Sequence, residues 1–333
     1  MLNIKNDLLS QALNLMQITG TLLLKETYAP PWAVMIPNQV ALTQLLNLPR
    51  DTRIAAFHFV YRGNFELHHA GNPPLIANQG DVVVSFGGTA HTIAQGRNVI
   101  PIALEDHLKI ADGLIHPFAL DEAPTALVCG VFLMRDTHLN PLFAGLPDFL
   151  HLEHARLAAS RLSLTIPQLL VTELENWDYG SQYAMQRLLE LMCLDILRAY
   201  LLVVDDHTQG WLQSIKDPIL SKALYRFHQM PGDSWSVDRL AAEVNLSSSR
   251  FAARFSQALG ESCMEYVTKW RLNIACKMLR TTDASVDEIA YDVGYTDLPA
   301  FTRVFRRYMG LTPARWRKTG QLHPSGFEHS QRI

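Results

Sequence analysis

From Ser236 to the neighbourhood of Lys318, apolar positions recur three and four residues apart, the period of helices with one face in a core. Leu240, Ala241 and Val244 form one block, and Phe251, Phe255 and Leu259 a second. The arrangement then returns as Ile289, Ala290 and Val293, followed by Phe301 and Phe305. The first blocks match at an offset of 49 and the second at 50, so the second copy has gained one residue where a turn would lie. Each copy reads helix, tight turn, helix. The polar punctuation agrees. Ser236 and Ser285 stand at the starts, and Glu288 completes a capping-box pattern with Ser285. Asn245 and Gly294 occupy the turns, the residue types that best tolerate left-handed backbone. Asp297 suits an N-cap with Pro299 in the turn behind it, while Gly260 and Gly310 read as stops. Further starts follow each stop, at Ser262 and at Thr312-Pro313. Between the copies, Tyr266, Trp270, Ile274 and Met278 at steps of four predict one long amphipathic helix.

Upstream the period changes. From about Gly20 to Met134, strand-length runs rich in Val, Ile and Phe alternate with Gly, Pro and Asn, as in "AAFHFVYRG", "DVVVSFGG" and "TALVCGVFLM". This predicts an all-β barrel or sandwich. The stretch Met185–Val204 is again helical, with Leu188, Met192, Ile196, Tyr200 and Val203 along one face. The expected fold is α+β and multidomain. A β-barrel spans residues 1–145, and linker and dimerisation helices span 146–228. An all-α domain of two helix-turn-helix units joined by a long helix spans 229–320, and 321–333 is a polar, loosely ordered tail.

Composition narrows the class. The 333 residues are 48% hydrophobic and 18% charged, a globular composition. No stretch of about 18 uncharged apolar residues exists, and the N-terminus lacks the features of an export signal, so the expected location is cytoplasmic, without membrane contact. Cys129, Cys193, Cys263 and Cys276 lie far apart and form no CxxC pair, which signals neither a disulfide framework nor a cysteine zinc site. The net charge of -3 conceals a division: Ser234–Lys318 holds 13 Lys+Arg against 9 Asp+Glu, so a basic C-terminal part sits on an acidic body.

Two short helices joined by a tight turn form a unit whose second helix fits the major groove of DNA. Helical-hairpin solenoids also repeat at fixed periods, but they usually need three or more copies. The strings "RFAARFSQALGESCMEYVTKWRLNIACKMLR" and "IAYDVGYTDLPAFTRVFRRYMGLTPARWR" resemble the DNA-binding domain of the AraC/XylS family of bacterial transcription regulators. One departure is Cys263, where that family commonly has proline. With Phe251, Phe255 and Leu259 turned inward, Ser248, Ser249, Ala252 and Ala253 are left for the groove, with Arg250 and Arg254 at its edges. On the second copy Leu298, Pro299, Thr302 and Arg303 are left, and the resemblance places base contacts at these same positions. Arg303 is the candidate guanine reader, because a guanidinium can bond O6 and N7 together. Arg306, Arg307, Arg315, Arg317 and Lys318 are candidates for phosphate. The implied partner is double-stranded promoter DNA, with RNA polymerase a further candidate.

The front half, through "FHFVYRGNFELHHAGNPPLIANQGDVVVSFGGTAH", resembles a cupin, and more narrowly the cupin sensor of an AraC-type subgroup. Cupins often hold a metal through three histidines and a glutamate, two of the histidines as HxH; that pair is missing here. The resemblance makes His58, Glu66, His68 and His91 the candidates for an effector pocket, with His58 and His91 those for a divalent metal. His69 is expected to point away from Glu66 and His68. In an apolar strand Cys129 reads either as a small hydrophobe or as a redox sensor. The apolar stripe of Met185–Val204 either covers the barrel or, as the family implies, pairs two protomers into a homodimer. Two functions compete with a regulator answering an unidentified small molecule or stress. One is a metal-dependent cupin enzyme with an appended helical domain; the other is a sequence-blind nucleoid protein.

Overall fold

The computed structural model describes residues 7–49, 51–111, 124–135, 137–154, 165–203 and 210–321. These fall into two compact units. One holds the described residues between 18 and 135 and between 146 and 203. The other gathers 7–17, 137–145 and 210–321 from three separate stretches, so α1 (Leu8–Leu13), which opens the chain, belongs with the C-terminal helices. Residues 322–333, most of the expected tail, lie outside the description.

Among its described residues the first unit is built on ten strands: β1 (Gln17–Tyr28), β2 (Trp32–Ile36), β3 (Arg53–Arg62), β4 (Asn64–His68), β5 (Leu75–Asn78), β6 (Val82–Ser85), β7 (His91–Gln95), β8 (Ile102–Ala103), β9 (Thr125–Arg135) and β10 (Phe149–Leu152). They make two five-stranded sheets, in the orders β1-β9-β3-β6-β10 and β5-β4-β7-β2-β8. Here the expectation of a barrel is corrected to two separate sheets. Each keeps its own two edge strands, and no ladder among the described residues joins one sheet to the other. The sheets instead share one apolar core, contributed by Leu24, Val34, Ile54, Leu67, Ile93 and Val131 among others, as in a sandwich. The "GD" string acts at the rim: Asp81 accepts from the Asn78 and His154 N–H groups and bonds the His151 ring, tying the β5–β6 turn to β10.

Among the described residues the helices α2 (Gln39–Leu45), α3 (Leu104–Ala111) and α4 (Thr165–Glu175) accompany the strands, before the 23-residue α5 (Ser181–Val203). Helix α5 packs on β9 and β10, and on β1 so closely that a Cβ on Gly20 would stand 2.2 Å from Leu189 Cβ. Met192, Ile196 and Tyr200 are buried, so the stripe read from the sequence covers the sheets of its own chain. The face left to solvent carries Tyr183, Arg187, Leu191, Arg198 and Leu202.

In the second unit α6 (Trp211–Ser214) and α7 (Pro218–Gln229) precede the repeat: α8 (Val237–Ala242), α9 (Ser248–Leu259), α10 (Cys263–Thr281), α11 (Val286–Asp292), α12 (Leu298–Met309) and α13 (Pro313–Gln321). The caps fall where the polar residues stood. Ser236, Ser262, Ser285 and Asp297 each accept from a backbone N–H three residues on, and Glu288 closes the capping box with Ser285. Each such cap contributes about 1 kcal/mol. Gly260 and Gly310 end their helices in left-handed backbone. Helix α10 serves two cores. Tyr266 and Trp270 pack toward Phe227, His228 and Phe255. Leu272, Ala275, Cys276 and Leu279 join Ile289, Phe301, Phe305 and Trp316. Its buried face therefore shifts after Trp270, and Ile274 and Met278, expected on one stripe with Trp270, are only half-buried.

Hydrogen bonds tie the stretches outside the repeat to one another and to α10. Asn140 Nδ2 donates to the Ala12 carbonyl at 2.8 Å, and Lys277 Nζ to the Asn14 carbonyl at 2.6 Å. A buried chain runs from Trp211 Nε1–H to the Tyr266 oxygen, from the Tyr266 O–H to His228 Nε2, and from His228 Nδ1–H to Gln11 Oε1, each 2.9 Å long. Gln11 can only accept through Oε1, which fixes the proton on Nδ1 and leaves Nε2 to receive the phenol.

Candidate functional site

Helix α9 starts after Ser247 and buries Phe251 and Phe255 completely, leaving a polar and basic opposite side. Ser249, Arg250 and Ala253 are exposed, and Ala252 and Ser248 are half-buried. The Ser248 hydroxyl donates to Asp238 Oδ1 on α8, which pins the start of α9 to the preceding helix. Arg254 is engaged within the protein: Nε and Nη2 reach Asp217 Oδ2 at 2.9 and 2.5 Å. Asp217 also caps α7 by accepting from the Ile219 and Leu220 N–H groups. Asp217 was invisible to a reading confined to the repeat, because it lies 37 positions from Arg254.

Helix α12 repeats the plan. Phe301 and Phe305 are fully buried, Pro299 and Arg303 are exposed, and Leu298 and Thr302 are half-buried. Arg306 and Arg307 continue the basic side, both exposed, with Arg307 against the Tyr308 ring at 5.9 Å. Arg315 and Lys318 are exposed on α13. Arg317 faces the other way. Its Nε donates to the Leu279 carbonyl at 3.2 Å and its Nη2 to the Ala284 carbonyl at 2.5 Å, so its role is to close the end of α10 rather than to meet phosphate. The α11–α12 turn depends on Gly294, at φ +87°, where a Cβ would meet Arg271 Nη2 and the Gly232 carbonyl, each at 2.6 Å.

A second cluster lies between the two sheets. His58 on β3 and His91 on β7 are both 3% exposed, and their Nε2 atoms stand 2.9 Å apart. His58 Nδ1 lies 3.2 Å from Cys129 Sγ on β9, directly across the ladder. The Thr89 carbonyl, 2.8 Å from His91 Nδ1, can only accept, so His91 carries its proton there. It follows that His58 Nε2–H donates to His91 Nε2, and that His58 Nδ1 is left to receive the Cys129 S–H. Burial, then the neighbouring His91, holds His58 neutral well below the usual histidine range. Burial lowers His91 to about 4, against a raising bond to Thr89 and a further lowering by His69.

Glu66 and His68 do not join this cluster. Phe65 and Leu67 take the inward positions of β4, so alternation turns Glu66 and His68 outward, where they form an exposed pair at 3.2 Å. The inward histidine is His69, whose ring meets Phe149 at 4.5 Å; Phe149 in turn meets His91 at 5.2 Å. Alternation already set His69 opposite Glu66 and His68, and the apolar Phe65 and Leu67 on its side were the signal that this face is the inward one. No group of three His, Cys, Asp or Glu among the described residues is arranged to hold a metal, and the two Nε2 atoms are spent on each other. The donors present do not fit a metal centre. No described helix is long and apolar enough to cross a membrane.

Comparison with known proteins gives two family matches, a cupin model over residues 7–202 and a helix-turn-helix domain model over residues 240–319. The chain is similar to a putative AraC-like transcription regulator of Streptomyces lividans, 27% identical over 275 residues, covering 82% of this chain and 88% of that one. It is likewise similar to the HTH-type transcriptional regulator AlkR of Acinetobacter baylyi, 27% identical over 277 residues, covering 81% and 89%. Among solved structures, a transcriptional regulator with an AraC-type DNA-binding domain from Chromobacterium violaceum aligns at 27% identity and a TM-score of 0.30, over 32% of this chain and 94% of that one.

Proposed function

The chain belongs to the AraC/XylS family of transcription regulators, joining a cupin domain to an AraC-type DNA-binding domain, and we propose that it reads promoter DNA by seating α9 and α12 in successive major grooves. The observation that carries this reading is the matched pair of exposed polar and basic helix faces joined by one helix. Helix α10 has 19 residues, about 27 Å of rise, against roughly 34 Å between successive major grooves on one DNA side. Arg303, Thr302 and Leu298 on α12, with Ser249, Arg250, Ala252 and Ala253 on α9, supply the base-facing groups. Arg306, Arg307, Arg315 and Lys318 neutralise phosphate, which sets register without reading sequence.

The sheet unit serves as the receiver of a small-molecule or chemical signal, which acts by favouring one state of the protein over another. Two copies pair through the solvent face of α5, where Tyr183, Leu191 and Leu202 remain exposed. RNA polymerase is the further partner at the promoter, in the cytoplasm. Selection of bound fragments from random DNA, followed by footprinting, tests the reading. Two protected patches one helical turn apart per DNA-binding domain support it. A single patch, or binding without sequence preference, overturns it.

A further inference from the structure

The cavity between the sheets has room for about one water-sized molecule and too little for an organic effector. Its walls are aliphatic, including Leu24, Val34, Ile36 and Val131, and its polar lining side chains are those of His58 and Cys129. Such a space rejects ions and admits a small uncharged molecule. What it presents to that molecule is a thiol already hydrogen-bonded to an unprotonated imidazole nitrogen, which is itself backed by a second imidazole and a carbonyl. This pairs a nucleophile with a base and an orienting group.

We propose that Cys129 is a modification site for a small uncharged two-electron oxidant of the hydroperoxide class, with the His58–His91 pair as its proton relay. The sulfur attacks one peroxide oxygen, so that an S–O bond forms as the O–O bond breaks. The thiol proton passes to His58 Nδ1 during the attack, and the departing hydroxide takes a proton back from the imidazole pair and leaves as water. Cys129 becomes a sulfenic acid, oxidised by two electrons, and the peroxide is reduced to water. The neutrality of His58 keeps the accepting nitrogen free at physiological pH. Two of the other thiols are less suited: burial, with Glu190 adding to it, pushes Cys193 up to about 12, and burial pushes Cys263 up to about 11. The regulatory consequence, a change in promoter binding, rests on the sheet unit being the receiver; the thiol chemistry does not.

The test uses the full chain, reduced, freed of reductant and exposed to hydrogen peroxide for timed intervals, then unfolded in denaturant containing dimedone so that the tag reaches buried sulfur, the tagged cysteines being located by mass spectrometry. Cys129 is expected to be tagged first, and His58→Phe to slow that tagging on the order of a hundredfold while leaving the other cysteines unchanged. His91→Leu, which removes the end of the relay and keeps the first base, is the second variant should His58→Phe fail to fold, and it is expected to slow tagging by a smaller factor. Tagging of Cys129 no faster than of Cys193 or Cys263, or tagging unaffected by whichever variant folds, overturns the proposal. Promoter binding by the reduced protein is measured in parallel. Its absence overturns the regulator reading alone, and a peroxide response lost in Cys129→Ser joins the two.

Discussion

His228 lies flat against Trp270, with ring centroids 3.5 Å apart and planes within 4°. The stack, together with the bonds to Gln11 and Tyr266, leaves no place for a second proton on the imidazole. Burial accordingly holds His228 neutral well below the usual histidine range, in the same direction as His58 and His91.

The sign of the pH effect follows. A histidine whose folded value is depressed takes up its proton more readily when unfolded, so its stability is present above about 6.5 and is lost as pH falls below it. For His91, lowered to about 4, the loss reaches about 3 kcal/mol by that pH. The melting temperature is expected to be flat between roughly pH 7 and 8 and to fall steadily from about 6.5 towards 4. Calorimetry across that range checks it, and a melting temperature that rises on acidification refutes it.

Gly294→Ala and Gly260→Ala separate crowding from backbone strain. Both glycines have positive φ, +87° and +76°, but a Cβ at 294 meets two atoms at 2.6 Å and one at 260 meets nothing within 4 Å. Replacing Gly260 is expected to cost about 1 kcal/mol, from backbone alone. Replacing Gly294 adds the displacement of Arg271, which grips the Pro231 and Asp233 carbonyls, for a total of about 3 kcal/mol. Urea titrations of the two variants measure the difference; equal losses would mean the contact is not rigid.

Arg303→Ala is expected to reduce discrimination between a cognate site and random DNA by about 1–3 kcal/mol, at one base pair. Arg306→Ala and Arg307→Ala should weaken both kinds of DNA alike and lower the slope of log affinity against log salt by about one unit each. Equal losses on cognate and random DNA for Arg303→Ala would reassign that residue to phosphate.

Asp217 holds Arg254 and caps α7 at once, and a conservative exchange divides the two roles. Asp217→Ser keeps an N-cap oxygen but releases the guanidinium, whereas Asp217→Ala loses both. The alanine variant is expected to lose about 1 kcal/mol more stability than the serine variant. Both should bind DNA more tightly at low salt, because Arg254 then becomes available to phosphate. Unchanged affinity in filter-binding assays would show that Arg254 is remote from the DNA.

The local grammar of the helical half is legible in the residues alone. Ser285 with Glu288, Asp297 with Pro299, and the phenylalanines at steps of four specify starts, stops and a buried side through interactions within one or two turns. Alternation set His69 opposite Glu66 and His68 in the same way, but it did not say which of the two faces is the inward one. What lies across a sheet or between distant helices emerges with the packed chain. Cys129 meets His58 across a strand ladder that joins positions 71 apart, Asp217 reaches Arg254 from outside the repeat, and Gln11 bonds His228 across 217 positions. Whether ten strands close into a barrel or stack as two sheets also depends on which edges pair, and edge pairing leaves no mark on the period of any one strand. Periodicity tells a side chain which way to face, whereas its partner is chosen by packing contributed from everywhere else in the chain.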